Sequence, residues 1–231
     1  MKKNLIIVPV GKPVEHFINQ TGYPVKVEDH WRWRKNDTNY DVMAVQYSGF
    51  IPEDGSYDAL CYRPGFKWTI LKELYKEIDF SQYEYIGLYD DDVILDYEYM
   101  NYSFELAKEK NFPAFQISLA PGSESSYKCT QNLPGVEYSE TNFIEVMCPV
   151  FRNDILDKVM QLINKYDIYT GWGLDYVLSE WLSSYVYVVH GVKMFHPSRP
   201  DTGSGYDKTN AFREMHELLN TVFPKAMHDD G

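Results

Sequence analysis

The chain has 231 residues and a formal net charge of −12, and 44% of its residues are hydrophobic. This composition is typical of a globular protein and excludes a largely disordered one. The negative charge argues against nucleic-acid binding, because no basic face is available to neutralise phosphates, and it would repel a small anion unless a cation intervened.

No linker or internal repeat divides the chain, so a single domain spanning residues 1–231 is expected. The apolar run Leu5–Val10 is too short for a signal peptide, and no run approaches the about 20 residues of a membrane span. Three widely spaced cysteines fit neither a disulfide framework nor a zinc site and are typical of reduced thiols. We therefore expect a cytoplasmic protein without a membrane span.

Apolar runs alternate with segments of helical spacing along the chain. The runs predict strands at Leu5–Val10, Asp41–Tyr47, Tyr85–Tyr89, Pro113–Leu119, Phe143–Phe151, Tyr185–Val189 and Val192–Phe195. The spacing predicts helices at Lys67–Ile78, Asp96–Lys110, Asn153–Tyr166 and Leu174–Leu182, and a C-terminal helix within about 207–223. This order predicts a three-layer α/β domain with a mostly parallel central sheet, in which ligands bind beyond the carboxyl ends of the strands.

Three consecutive carboxylates, Asp90, Asp91 and Asp92, follow the predicted strand Tyr85–Tyr89. Like charges this close repel one another, and a divalent cation such as Mg²⁺, Mn²⁺ or Ca²⁺ relieves that repulsion through oxygen ligands. The alternative is a solvated acidic turn that caps the following helix. The position directly after a buried strand favours the metal site.

A second motif is Gly171-Trp172-Gly173-Leu174-Asp175, at the start of a predicted helix. The glycines allow unusual backbone angles and the close approach of a ligand, and the indole offers a flat face to a sugar ring. The alternative is an ordinary helix start with a buried Trp and an acidic residue favoured by the helix dipole. That dipole would lower the pKa of Asp175.

Two further segments carry cations or metal-ligating groups. His196 ends the last predicted strand beside Arg199, where an imidazole can complete a Mn²⁺ site and a guanidinium can hold phosphate oxygens. Arg63 and Lys67 precede a helix and suit either phosphate binding or surface solubility. His190, inside an apolar strand, is expected to be structural.

In this order, the motifs resemble the GT-A fold of nucleotide-sugar-dependent glycosyltransferases. More narrowly, the chain is similar to a family of predicted plant and bacterial glycosyltransferases with a KW…DDD…GxGLD…H pattern, over roughly residues 4–200. The resemblance implies transfer of a sugar from a nucleotide-diphosphate sugar, most simply a UDP-sugar, to a hydroxyl of a glycan or glycoconjugate acceptor. It also implies Mn²⁺ or Mg²⁺ as the cofactor.

The resemblance assigns each motif residue a role. The donor would contact Val8, Pro9, Gly11, Lys67, Asp90, Asp91 and Arg199. The metal would be held by Asp90, Asp92 and His196. Trp172 and Gly173 would flank the sugar and acceptor, and Asp175 would be the catalytic base. Relatives with a base in this segment carry Gly-Trp-Gly-x-(Glu/Asp)-Asp, whereas this chain has a single acidic residue there, so a sugar-hydroxyl ligand is the alternative role.

Two other functions also use acidic strand ends. A nucleotidyltransferase for sugar phosphates would be favoured by a Gly-rich basic loop after the first strand, and Gly11-Lys12-Pro13 is too sparse for that. A non-catalytic carbohydrate- or metal-binding module would suit the 20 Tyr and 5 Trp residues. The alternating α/β pattern argues against a module of that kind.

Overall fold

The structure is a computed structural model that describes residues 3–33, 35–53, 55–198 and 208–223. Within these ranges, the strands are β1 (Asn4–Val10), β2 (Tyr40–Gln46), β3 (Ala59–Tyr62), β4 (Tyr85–Leu88), β5 (Ala114–Leu119), β6 (Tyr138–Thr141), β7 (Val150–Arg152) and β8 (Val186–Met194). The α-helices are α1 (Val14–Thr21), α2 (Lys67–Glu77), α3 (Tyr97–Lys110), α4 (Asn153–Lys165), α5 (Leu174–Leu182) and α6 (Lys208–Val222).

The strands form one mixed sheet in the order β3-β2-β1-β4-β7-β5-β8-β6. Neighbours are parallel except where β7 pairs with β4 and β5 and where β6 pairs with β8 at the edge. Because β1 and β4 are parallel neighbours, their carboxyl ends meet at one edge of the sheet. The predicted α/β class with a mostly parallel sheet is confirmed.

Helices cover both faces of the sheet and enclose two apolar cores. One core joins the sheet to α2, α4 and α5, with Leu218 of α6 packed into it. The other joins the sheet to α3, with the fully buried Trp31 at its side. Burial of side chains on both faces explains why β1 and β4 are continuous apolar runs.

Two predicted strand boundaries are wrong. Phe143–Phe151 is a strand only from Val150 onward, and the residues before it form a turn-rich segment. The predicted strands Tyr185–Val189 and Val192–Phe195 are one strand, β8, whose register against β5 shifts between Ile117 and Ser118. Sequence reasoning also missed α1, β3 and β6, which are short elements of eight, four and four residues.

The helices of the described ranges are short. The longest, α6, has 15 residues. None in that part of the chain combines the length and the apolar character that crossing a membrane requires.

The start of α2 packs directly against the loop that precedes α5. Trp68 is buried, and its indole Nε1 would lie 2.0 Å from a Cβ placed on Gly171. Gly171 also has a φ of 88°, which side chains other than glycine disfavour. The Lys-Trp and Gly-Trp-Gly motifs, which are about a hundred residues apart, are therefore fixed against each other through a glycine.

We expect Gly171→Ala to lower the free energy of unfolding by about 2–4 kcal/mol, because the methyl group adds a clash with Trp68 to the backbone strain. Gly135→Ala is the matched control, since Gly135 has a φ of 81° and nothing within 4 Å of the added Cβ. It keeps only the backbone cost, about 1 kcal/mol. Urea denaturation measures both variants, and equal losses would contradict the clash with Trp68.

Candidate active site

The acidic segment is held at the end of β4 by β1 on one side and by the turn-rich segment before β7 on the other. The Tyr89 N–H donates to the Ile7 carbonyl at 3.0 Å, and the Asp90 N–H donates to the Met147 carbonyl at 2.8 Å. Asp92 is fully buried, whereas the Asp90 side chain is about a third exposed. Asp90 and Asp92 are thus placed in different environments although they are two residues apart.

Asp90 and Asp92 lie together with His196. Ligand atoms of the three side chains all lie within 4.8 Å of one another, and Nε2 of His196 is 3.6 Å from Oδ2 of Asp92. Two carboxylates and one imidazole form a donor set that suits Mn²⁺ and is compatible with Mg²⁺. The sequence predicted all three residues as metal ligands. The fold brings His196 to Asp90 and Asp92, from which it is about a hundred residues away along the chain.

Two backbone hydrogen bonds hold the residues near His196 and Asp92 together. The N–H groups of Ile94 and Phe195 each donate to the other residue's carbonyl at 2.8 Å. These bonds join the segment after β4 to the end of β8. The His196 backbone is further fixed by its N–H bond to the Ser123 hydroxyl at 3.2 Å.

Asp91 supports the loop after β1. Its Oδ2 accepts hydrogen bonds from the N–H groups of Gly11 at 2.8 Å and Lys12 at 3.3 Å. A Cβ on Gly11 would lie 2.3 Å from the Tyr47 hydroxyl, so a side chain there would have to displace the Tyr47 ring. Asp91 therefore fixes the segment for which the resemblance implies donor binding.

The predicted donor residues differ in accessibility. Val8 is fully buried in the core, whereas Pro9 and Gly11 are partly exposed at the sheet edge. The Lys67 ammonium is mostly buried and donates to Oδ1 of Asp90 and to the Val146 carbonyl, each at 2.6 Å. Arg199 lies outside the described residues.

Arg63, the other basic residue that the sequence places before α2, is paired with carboxylates of that helix. Arg63 forms an ion pair with Glu77 and lies 3.8 Å from Glu73. Both carboxylates belong to α2, whose first residue is Lys67. These contacts support the surface interpretation of Arg63.

A cavity of about 320 Å³ adjoins His196. Its lining also includes Trp172, Gly173 and Asp175, so the predicted metal ligand and the predicted sugar and acceptor residues share one cavity. The remaining lining residues are Glu124, Ser125, Ser126, Glu145, Val146, Met147, Tyr176, Phe212 and Met215.

Asp175 is buried in the first turn of α5 and faces this cavity. Burial, and then the negative charge of Glu145, raise its pKa to about 7, although nearby backbone N–H groups act in the opposite direction. The expectation that the helix dipole lowers this pKa is therefore wrong, because loss of hydration outweighs the dipole. Within the described residues, Oδ1 of Asp175 has no hydrogen-bond partner.

Glu145 is a site residue that sequence reasoning missed. Its Oε1 accepts hydrogen bonds from the Ser126 N–H at 2.8 Å and the Thr130 hydroxyl at 3.2 Å, and its own N–H donates to Oε1 of Gln116 at 2.6 Å. It is almost fully buried. An acidic residue inside the apolar run Phe143–Phe151 was the signal, which the incorrect strand prediction concealed.

His190 is hydrogen-bonded through both ring nitrogens. Its Nδ1 accepts a hydrogen bond from the Leu133 N–H at 3.2 Å, so that Nε2 carries the proton and donates to the Ser139 hydroxyl at 2.8 Å. Burial lowers the pKa of the imidazole and favours this neutral form.

Comparisons with known proteins identify the fold. No protein-family profile matches the chain, and no curated protein matches it in sequence. A crystal structure of S. aureus TarS residues 1–349 with UDP-GlcNAc matches with a TM-score of 0.53 at 12% identity, covering 96% of this chain and 73% of that one. The corresponding complex with UDP gives a TM-score of 0.52 at 12% identity, covering 97% and 72%. At this identity the likeness shows the fold alone.

Proposed function

We propose that the protein is a metal-dependent glycosyltransferase that moves a sugar from a UDP-sugar to a hydroxyl group of a glycan or glycoconjugate acceptor. The observation that carries this proposal is the gathering of Asp90, Asp92 and His196 at the carboxyl edge of the sheet, beside a cavity that contains Asp175. The likeness to TarS, one structure of which holds UDP-GlcNAc, supports the choice of donor.

Asp90, Asp92 and His196 are the residues that would hold Mn²⁺ or Mg²⁺. When bound, such a cation supplies positive charge to the diphosphate as it leaves. Lys67 adds a fixed ammonium at the same edge, held in place by Asp90 and the Val146 carbonyl. Pro9 and Gly11 lie at the end of β1, where the nucleotide is proposed to bind.

Asp175 is the proposed base that takes the proton of the acceptor hydroxyl. A carboxylate with a pKa of about 7 is both ionised in a large fraction near neutral pH and more basic than an ordinary aspartate. Trp172 lies at the same cavity and offers its ring to a sugar. The base and the metal ligand His196 thus contribute to one cavity from different elements.

Removing the metal is expected to weaken UDP binding. In calorimetry with UDP, we expect EDTA to lower the affinity of the wild-type protein at least about tenfold relative to Mn²⁺. Asp92→Asn should abolish this difference. Asp96→Asn is the matched control, because it removes one charge four residues away and still caps α3, whose Glu98 N–H bonds to this side chain. Equal UDP affinity with and without Mn²⁺ would contradict the proposed site.

Replacing the proposed base is expected to slow turnover without weakening donor binding. For Asp175→Asn, release of UDP from UDP-GlcNAc, with water as the acceptor, should fall about 100-fold or more. UDP affinity in Mn²⁺ should stay within about threefold, a change of less than 1 kcal/mol. Glu180→Gln, an exposed change on the same helix, serves as the control. An unchanged rate for Asp175→Asn would remove Asp175 from the reaction.

The raised pKa of Asp175 also predicts a pH-dependent stability. Between about pH 4 and pH 7 the folded protein keeps a proton that the unfolded chain releases, so this residue lowers stability as the pH rises. Relative to wild type, metal-free Asp175→Asn should gain up to about 4 kcal/mol of unfolding free energy between pH 4 and pH 8. Urea denaturation in EDTA at several pH values measures this, and a pH-independent difference would contradict the raised pKa.

A further inference from the structure

The loop before the Gly-Trp-Gly motif has three backbone N–H groups that converge on one carboxylate. Oε2 of Glu214 accepts hydrogen bonds from the N–H groups of Tyr169 and Thr170, both at 2.9 Å. Oε1 accepts from the N–H groups of Thr170 at 3.0 Å and Gly171 at 2.9 Å. Successive N–H groups of this kind form an anion-binding concavity, which Glu214 occupies.

Glu214 also reaches Trp172 through a hydroxyl group. The Thr170 hydroxyl donates to Oε1 of Glu214 at 2.8 Å and accepts a hydrogen bond from the Trp172 N–H at 3.2 Å. One side chain of α6 therefore fixes four consecutive residues of the loop that leads to α5. Gly171 and Gly173 lie in this segment with a positive φ, and glycine restricts the backbone less than any other residue, so the loop depends on contacts from outside to stay in one conformation.

Helix α6 is itself anchored next to the cavity. Ala211 and Leu218 are buried, and Leu218 belongs to the core beneath α5. Between them, the Phe212 ring lies edge-on to the Trp172 ring with centroids 4.9 Å apart. A Cβ on Gly173 would lie 3.2 Å from the Met215 Cα, so the helix and the motif are in close contact.

We propose that Glu214 is a positioning residue, whose carboxylate holds residues 169–172 and thereby places Trp172 and Asp175 for the sugar and acceptor. The effect of Glu214 on catalysis rests on the proposed function, whereas its hydrogen bonds to the loop do not depend on that function. Among the described residues, the hydrogen bonds of Glu214 are with residues 169–171 and not with Lys67, Asp90 or Asp92, so donor binding should be affected less than turnover.

The test compares Glu214→Gln with Glu217→Gln. Gln keeps one acceptor oxygen and turns an amide donor toward backbone N–H groups, which breaks part of the network. Glu217 lies one turn further along α6, is exposed, and loses the same charge in its variant. Thr170→Val adds a nearly isosteric change that removes only the hydroxyl link to Trp172. Thermal melting confirms that each variant is folded at the assay temperature.

For Glu214→Gln we expect kcat for UDP release from UDP-GlcNAc to fall about tenfold or more, because a small displacement of catalytic groups is costly. KM for UDP-GlcNAc should change less than about threefold, because a larger rise in KM would mean that contacts with the donor had been lost. Hydrogen exchange of the peptide covering residues 166–176 should become faster. Thr170→Val should show a smaller loss of kcat, and Glu217→Gln should match the wild type.

Three outcomes would overturn the proposal: unchanged exchange in Glu214→Gln, faster exchange without a loss of kcat, or an equal loss of kcat in Glu217→Gln. A wild-type protein that releases no UDP from any UDP-sugar would instead contradict the proposed function. In that case the exchange of residues 166–176 alone decides whether Glu214 holds the loop. The two failures are therefore distinguishable.

Discussion

Three adjacent carboxylates have to be accommodated at the end of β4, and the site is arranged around that requirement. Left together, their charges would repel one another. The fold separates their surroundings: Asp91 accepts backbone N–H groups of the β1 loop, Asp90 pairs with Lys67, and Asp92 is buried beside His196. One motif thus fixes the β1 loop, the start of α2 and the end of β8 at a single edge of the sheet.

The two sides of the site are built from different kinds of structure. The acidic side stands on β1 and β4, paired strands in the middle of the sheet, where burial on both faces leaves little freedom. The cavity side is built from turns, from the first residues of α5 and from α6. Loops and turns of this kind vary more between related proteins than the sheet does, because the rigid sheet keeps its structure whatever the loop sequence is. We therefore expect acceptor choice to depend on the cavity side.

Sequence reasoning succeeded where a pattern is local and strong. The buried run of β1 and the amphipathic α4 are examples, since periodicity alone specifies them. It failed for Phe143–Phe151, where apolar character signalled burial of a turn and not a strand. The pKa of Asp175 depends on burial and on Glu145, which is thirty residues away, so the local rule of the helix dipole gave the wrong direction. The role of Glu214 depends on a contact between distant segments that no local pattern reveals.

The net charge of −12 bears on the proposed metal dependence through this geometry. A diphosphate approaching the carboxyl edge meets Asp90 and Asp92, and the nearby Lys67 ammonium is already paired with Asp90. Lys67 therefore neutralises part of the negative charge of the acidic edge but does not make that edge positive overall. A divalent cation on Asp90, Asp92 and His196 would reverse the local sign where the donor phosphates are proposed to lie. The proposed metal dependence therefore rests on the charges of these residues as well as on the motif that they form.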